Sequence, residues 1–384
     1  MSEMMRVVRF VIVTLALCVI AASVNAAAEI NIGGLFAMSG KAAHIGIASR
    51  DVAQMVVDDI NRSGGINGAM VKLIIADTRS EPGQAAVALK KLVDRYKVAA
   101  ICGPTSTGEI MACLPGIEQA KIPVVACVGG AAAVVPVEQR YWVFKSPQKS
   151  SSAVARIYIY LKSKGIKRVG ILCASDKFGQ EGEDLLKELA AGHGITVVAQ
   201  EKFNPEDADM SVQVGKIAAA KPQAMVVWTI GPAGAIIAKN AKALKVPFKI
   251  VQCHGQPDPI YIKLGGAAAN GSIMPCTKLM VGEQLRDSDP QKGVILSFID
   301  QYERRGYPPI GTHCGYAWDA MQMIARAMRK AGTDPEKLRA AIENTKNYVG
   351  VSGIYNMSPK DHCGLDHRSL VMIEVVGGKW KLVK

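Results

Sequence analysis

The sequence predicts an α/β protein made of two doubly wound, Rossmann-like lobes joined by a three-segment hinge. Three observations carry that prediction. A chain of 384 residues exceeds what one compact core usually holds, so at least two domains are expected. Short apolar runs alternate with longer amphipathic stretches, the pattern of parallel strands covered by helices on both faces. The alternation restarts after Trp142-Val143-Phe144-Lys145-Ser146-Pro147 and then gives way to a helix-rich final third.

The elements follow in order. Ile30–Phe36 reads as a strand, followed by a Ser-Gly loop and a helix from about Ile45 to Asn61 that the Gly64-Gly65 pair stops. Val71–Ala76 is the next strand, and Glu81–Lys97 a helix with Pro82 in its first turn. Val98–Cys102 is almost wholly apolar, as buried parallel strands tend to be, and leads through a short loop to a helix at Thr107–Gln119 and a strand at Pro123–Cys127. In the second block, helices Ser151–Ser163, Gly179–Ala191, Ser211–Ala219 and Ala233–Ala243 alternate with strands Arg168–Cys173, Ile195–Ala199, Ala224–Thr229 and Phe248–Gln252. Helices at about Pro290–Arg304, Thr312–Lys330 and Pro335–Asn344 come next, then short strands at Leu370–Val375 and Lys379–Val383. Too few strands lie there for a third domain. The simplest organisation gives residues 27–146 completed by 275–356 as lobe 1, and 147–274 completed by 357–384 as lobe 2, with crossings near Ser146, Met274 and Met357. A hinged pair of such lobes should hold its ligand in the cleft between them, at the C-terminal ends of strands.

Composition narrows the function. Apolar residues make up 49% and charged residues 21%, a globular balance. Aromatics are 5%, too few for a base-stacking surface, and the net charge of +13 is spread along the chain with no block of five basic residues. Nucleic acid is therefore not an expected partner.

Residues 1–26 are set apart as a cleavable leader. Arg6 and Arg9 precede the 13-residue run Phe10–Ala22, which is short for a membrane span and suits the apolar core of a secretory signal. Val24 and Ala26 stand at the −3 and −1 positions of a cleavage after Ala26. Export to an oxidising compartment follows from this, with a soluble, monomeric mature chain expected. Of the nine cysteines Cys18 lies in the leader, so eight remain, and eight allow 105 pairings among which sequence cannot choose. Several sit in apolar runs, where a buried thiol is the ordinary state. Neighbours such as Cys253-His254 and His313-Cys314 lack the spacing of a metal site, so neither metal nor cofactor is expected. No dinucleotide, P-loop, nucleophile-elbow or zincin motif occurs, and no enzyme activity is expected.

One loop carries specific chemistry. Gly103-Pro104-Thr105-Ser106-Thr107-Gly108 follows a buried strand and opens a helix, so hydroxyls and free backbone N–H groups meet there, a site for a carboxylate or other small anion. The other reading, in which Thr105, Ser106 or Thr107 simply caps the helix, stays open at this point.

The chain resembles a known family at several places together. These are Gly34-Leu35-Phe36-Ala37-Met38-Ser39-Gly40, Asp59-Ile60-Asn61 with Gly64-Gly65-Ile66-Asn67-Gly68, and the Cys102–Gly108 loop, followed by Gly315-Tyr316-Ala317-Trp318-Asp319-Ala320 and Ser358-Pro359-Lys360-Asp361-His362. Taken together they look like the periplasmic leucine/isoleucine/valine-binding proteins, and the resemblance covers essentially the whole mature chain. It implies the type I periplasmic-binding fold, periplasmic localisation, and a role as the substrate-binding component of an ABC importer that captures an amino acid or related small carboxylate. ABC permease subunits are the partners it implies. A ligand sensor on the same fold is the rival role.

The resemblance also implies site residues. Ser106 and Thr107 would hold the ligand carboxylate, and the stretch Val128, Gly129, Gly130 would help hold an ammonium group. Where the family commonly has a threonine this chain has Gly130, and where it has an acidic side chain this chain has His254, with no carboxylate before Asp258. Ile230 and Ile45 stand where aromatics are usual, while Phe178 keeps another aromatic. The cysteine pair of some leucine binders has no match, because Asp77-Thr78-Arg79 lacks its first member. A buried ammonium without an anion is costly. The alternative ligand is therefore an aromatic or branched aliphatic carboxylic acid without an ammonium, unless Asp258 reaches the pocket.

Overall fold

The computed structural model describes residues 29–383, and the expected leader lies outside them. The first sheet holds five parallel strands: β1 (Glu29–Phe36), β2 (Met70–Asp77), β3 (Ala100–Cys102), β4 (Val124–Ala126) and β5 (Val143–Lys145), in the order β2-β1-β3-β4-β5. Helices α1 (Ala43–Arg62), α2 (Pro82–Asp94) and α3 (Thr107–Ala120) connect the first four. In α1, Ile45, Val52, Met55, Val56 and Ile60 form the buried stripe that helical spacing predicts. Gly65 ends the turn after it with φ +82°, and a Cβ there would lie 2.1 Å from the Ala69 carbonyl oxygen.

The second block is α4 (Ser150–Ser163), β6 (Arg168–Ala174), α5 (Lys177–Ala190), β7 (Thr196–Phe203), α6 (Ser211–Ala219), β8 (Ala224–Trp228), α7 (Ala233–Ala243), β9 (Lys249–Gln252), α8 (Pro259–Gly265) and β10 (Ile273–Thr277). The chain then returns to the first lobe through α9 (Lys292–Glu303), α10 (Thr312–Ala331), α11 (Pro335–Glu343) and the hairpin β11 (Tyr348–Val349) and β12 (Ile354–Tyr355). It finishes in the second sheet with β13 (Leu370–Val376) and β14 (Lys379–Leu382), giving the order β14-β13-β10-β9-β8-β6-β7. The last two strands run antiparallel to their neighbours and the others are parallel.

Each sheet is covered on both faces. In the first lobe α1 and α10 bury Phe36, Val125 and Phe144, while α2 and α3 close the other face over Leu35, Ile101 and Val124. In the second, α4 and α5 pack over Val169, Ile171 and Val226, and α6 and α7 over Leu172, Met225 and Val227. No helix among the described residues is long and apolar enough to cross a membrane.

Two expectations shift. The second crossing was expected near Met274, but Met274 pairs with Ile373 and β10 stays in the second sheet to Thr277. Pro275 inside that strand hid it from a sequence reading, since proline is rare in central strands. The helix expected to reach Lys97 stops at Asp94, and Lys97 takes φ +51° on the way into β3.

The first and third crossings are tied together. Lys145 N donates to His362 O at 3.1 Å, Tyr355 Oη to Ser146 O at 2.7 Å, and Gln148 Nε2 to Ser352 O at 2.7 Å. Buried Asp319 of α10 accepts from Val351 N, Ser352 N, Tyr348 Oη and Tyr355 Oη at 2.8–3.4 Å. Burial pushes its carboxyl up to about 6 although these donors pull the other way.

Candidate functional site

Each sheet has one point where the chain reverses its direction across the strands: between β1 and β3 in the first, between β6 and β8 in the second. Crevices at the C-terminal ends of such strand pairs are where open α/β sheets take ligands. Here the two crevices face each other.

The first-lobe wall is the hydroxyl loop after β3. Gly103 turns it with φ +104°, and a Cβ there would lie 2.1 Å from the Leu35 carbonyl oxygen, so the loop passes directly over the end of β1. Fully buried Glu109 then gathers it. Its Oε2 accepts from Ser106 N at 2.9 Å, Thr105 N at 3.2 Å and Thr105 Oγ1 at 3.3 Å, and its Oε1 from Thr78 Oγ1. Ser106 Oγ accepts from Glu109 N at 3.4 Å and completes a capping box. Ser106 thus does cap α3, and capping uses its oxygen as acceptor, leaving the hydroxyl proton to give. Thr107 Oγ1 is buried and has no protein partner.

Phe178 in the first turn of α5, with Ile230 and His254 from the loops after β8 and β9, forms the opposite wall. An inner chamber is lined by Ser106, Thr107, Gly129, Phe178, His254 and Tyr316, with His313 beside them. An outer chamber shares Ser106, Thr107, Phe178 and Ile230 with it and adds Ile45, His44 and Asp176. The inner chamber has about 20 Å³ of room and the outer about 100 Å³. The former is little more than a single water's centre requires, so a ligand larger than one polar group spans both.

The inner chamber is unusual in its polar groups. Both ring nitrogens of His254, both of His313, Tyr316 Oη and Thr107 Oγ1 are buried without a hydrogen-bond partner. Such groups are rare in folded proteins and costly when left so. Burial, with Lys145 and His313 adding to it, pushes His254 down to about 3. Burial does the same to His313, down to about 4, against a pull from Asp258. Both rings are therefore neutral at pH 7.

Of the expected residues, the structure brings Ser106, Thr107, Phe178, Ile230 and His254 to the inner chamber and Ile45 to the outer one. Val128 and Gly130 line neither. The Val128 side chain is packed into the core under α2 and α3, because the chain alternates faces as it leaves β4. Gly129 takes the place at the wall. Gly130 sits behind Thr107, where an added Cβ would lie 2.6 Å from Thr107 Oγ1. Asp258 lines neither chamber and caps α8, accepting from Ile260 N at 2.9 Å. Sequence reasoning missed His313 and Tyr316. Both lie in the first turns of α10, which arrives from the far end of the chain, and the His313-Cys314 pair was weighed only as a metal motif. Among the described residues, no cluster of three or more His, Cys, Asp or Glu is placed to hold a metal.

The family model described as periplasmic binding protein matches residues 29–379, nearly the whole described chain.

The chain belongs to the periplasmic binding protein family.

Its relatives agree. It is 22% identical over 313 residues to a leucine-, isoleucine-, valine-, threonine- and alanine-binding protein of Pseudomonas aeruginosa, covering 79% of each chain. It is 25% identical over 337 residues to the Leu/Ile/Val-binding protein BraC3 of Rhizobium johnstonii, covering 83% of this chain and 84% of that one. Among solved structures, an extracellular ligand-binding receptor from Rhodopseudomonas palustris HaA2 superposes with a TM-score of 0.86 at 27% identity, over 93% of this chain and all of that one. As in that family, the fold is the type I periplasmic-binding fold.

In this periplasmic binding protein the lobes are closed on each other. Glu181 of α5 accepts from Ala131 N at 3.0 Å and Ala132 N at 2.7 Å across the cleft, and from Ser150 Oγ at 2.7 Å. Ile230 packs against Ala37, Ala42 and Ile45. Thr312 N donates to Pro257 O at 3.0 Å, and Lys41 reaches Glu206 at 3.7 Å on the rim.

Proposed function

We propose that this chain is the solute-binding component of an ABC importer of the branched-chain amino-acid type, working in the periplasm without catalysing a reaction. Its ligand is an amino acid or related small carboxylate held between the lobes. One observation carries this reading: the hydroxyls of Ser106 and Thr107 on one lobe face Phe178, Ile230 and His254 on the other across a shared chamber at both switch points. Family membership and the leader-like N-terminus support the transport role and the compartment. Purified protein should bind a small carboxylate one-to-one by calorimetry, and the ligand should be recovered unchanged after prolonged incubation. Conversion of the ligand would reject the reading.

A further inference from the structure

Behind the inner chamber lies a buried cation. Lys145, fully buried at the end of β5, donates to Gly129 O at 2.7 Å, Gly130 O at 2.9 Å and Gln148 O at 3.1 Å. We propose that Lys145 sets the charge of the ligand: by occupying the Gly129 carbonyl at the chamber wall and the Gly130 carbonyl behind it with its own ammonium, it makes the cleft select a small carboxylate that carries no ammonium.

Three features converge on this. First, the donors match. Ser106, Thr107 and Tyr316 each bring a hydroxyl proton, and neutral His254 and His313 each bring one N–H, whereas a carboxylate is acceptor-only with about four sites. Second, the backbone carbonyls and carboxylates that would best hold an ammonium are already engaged, leaving only neutral ring nitrogens and hydroxyls as acceptors. The Gly129 and Gly130 carbonyls serve Lys145, and Gly129 O also takes Ser150 Oγ at 3.2 Å. The nearby carboxylates are employed elsewhere: Glu181 on Ala131, Ala132 and Ser150, and Asp258 on Ile260 N. Asp176 lies in the outer chamber and caps α5 through Gly179 N at 2.8 Å. Third, the charge of Lys145 is felt in the chamber, since it helps hold the His254 ring neutral. A second buried ammonium would face that same charge without a carboxylate of its own in the inner chamber. Phe178 and Ile230, with Ile45 in the outer chamber, offer the apolar body of such an acid a wall.

This inference rests on the proposed solute-binding role, and the experiment separates the two. Wild-type protein is titrated calorimetrically with 3-phenylpropanoate, 4-methylpentanoate, phenylalanine and leucine, which pair each carbon skeleton with and without the ammonium. The acids should bind at least a hundredfold more tightly than their amino-acid partners. In Lys145→Met that ratio should shrink at least tenfold, with near-UV circular dichroism checking the fold. Tyr316→Phe, which removes one donor and keeps the ring, should weaken acid binding about tenfold even where Lys145→Met does not fold. Amino acids binding as tightly as the acids would overturn the inference and leave the solute-binding role standing. An unchanged ratio in folded Lys145→Met, or unchanged acid affinity in Tyr316→Phe, would also overturn it. Failure of all four compounds to bind would overturn both.

Discussion

At the residue scale, the cleft is read through a few buried polar groups whose states can be measured. Removing the hydroxyls of Ser106 and Thr107 together takes away up to two hydrogen bonds to a charged group, each about 1.5–3 kcal/mol. The double alanine variant should bind ligand about tenfold or more weakly by calorimetry. Unchanged affinity would confine Ser106 to its capping role. The two chamber histidines make a second expectation. Their folded values, about 3 and about 4, lie below the ordinary histidine value, so on acidification the unfolded chain takes up protons that the folded protein refuses. Their contribution to stability is whole above about pH 7 and is lost as pH falls toward 4. Between pH 7 and pH 5 each should cost about 2 kcal/mol. Urea unfolding at the two pH values should show this loss, and His313→Phe should lose about 2 kcal/mol less over the same interval. An equal loss in the variant would mean that the ring is protonated in the fold. The sequence showed the hydroxyl loop because its chemistry is contiguous. It could not show His313, Tyr316 or Lys145 as partners of that loop, because only the sheet order brings positions so far apart in the chain to one chamber.

At the element scale, most helices and strands were legible because their apolar spacing is regular, as in α1 and α10. What escaped were pieces too short for a period to register: β5 with three residues, α8 with seven, and the two-residue strands of the hairpin. Those pieces include two of the hinge crossings and β5 with Lys145 behind the chamber, so the fold was clearer in advance than the site. The start of α5 is also where the closed state is latched. Glu181 there accepts from two backbone N–H groups of the opposite lobe, which nothing in the local sequence announces. Glu181→Ala should leave each lobe folded while making the closed arrangement less populated, and apparent affinity falls in proportion to that population. A loss of tenfold or more, with an unchanged circular dichroism spectrum, is expected. Wild-type affinity would show that the contact does not contribute to closure.

At the scale of the whole molecule, two lobes joined by three short crossings should separate when the cleft is empty. Small-angle scattering should give a smaller radius of gyration with saturating ligand than without, and identical profiles would reject the hinge. The same topology makes the first lobe discontinuous. Its sheet is complete by Lys145, yet the face bearing Phe36, Val125 and Phe144 is covered by α10, which begins only at Thr312. A fragment ending at Thr277 should therefore expose that face and bind a hydrophobic dye strongly, whereas the full chain should not. Dye binding equal to that of the full chain would show that α10 is dispensable to the lobe. During synthesis, the first residues made wait for nearly the last before their core can close. The order of synthesis itself thus postpones completion of the fold, so the nascent chain cannot become a compact body until α10 has been made.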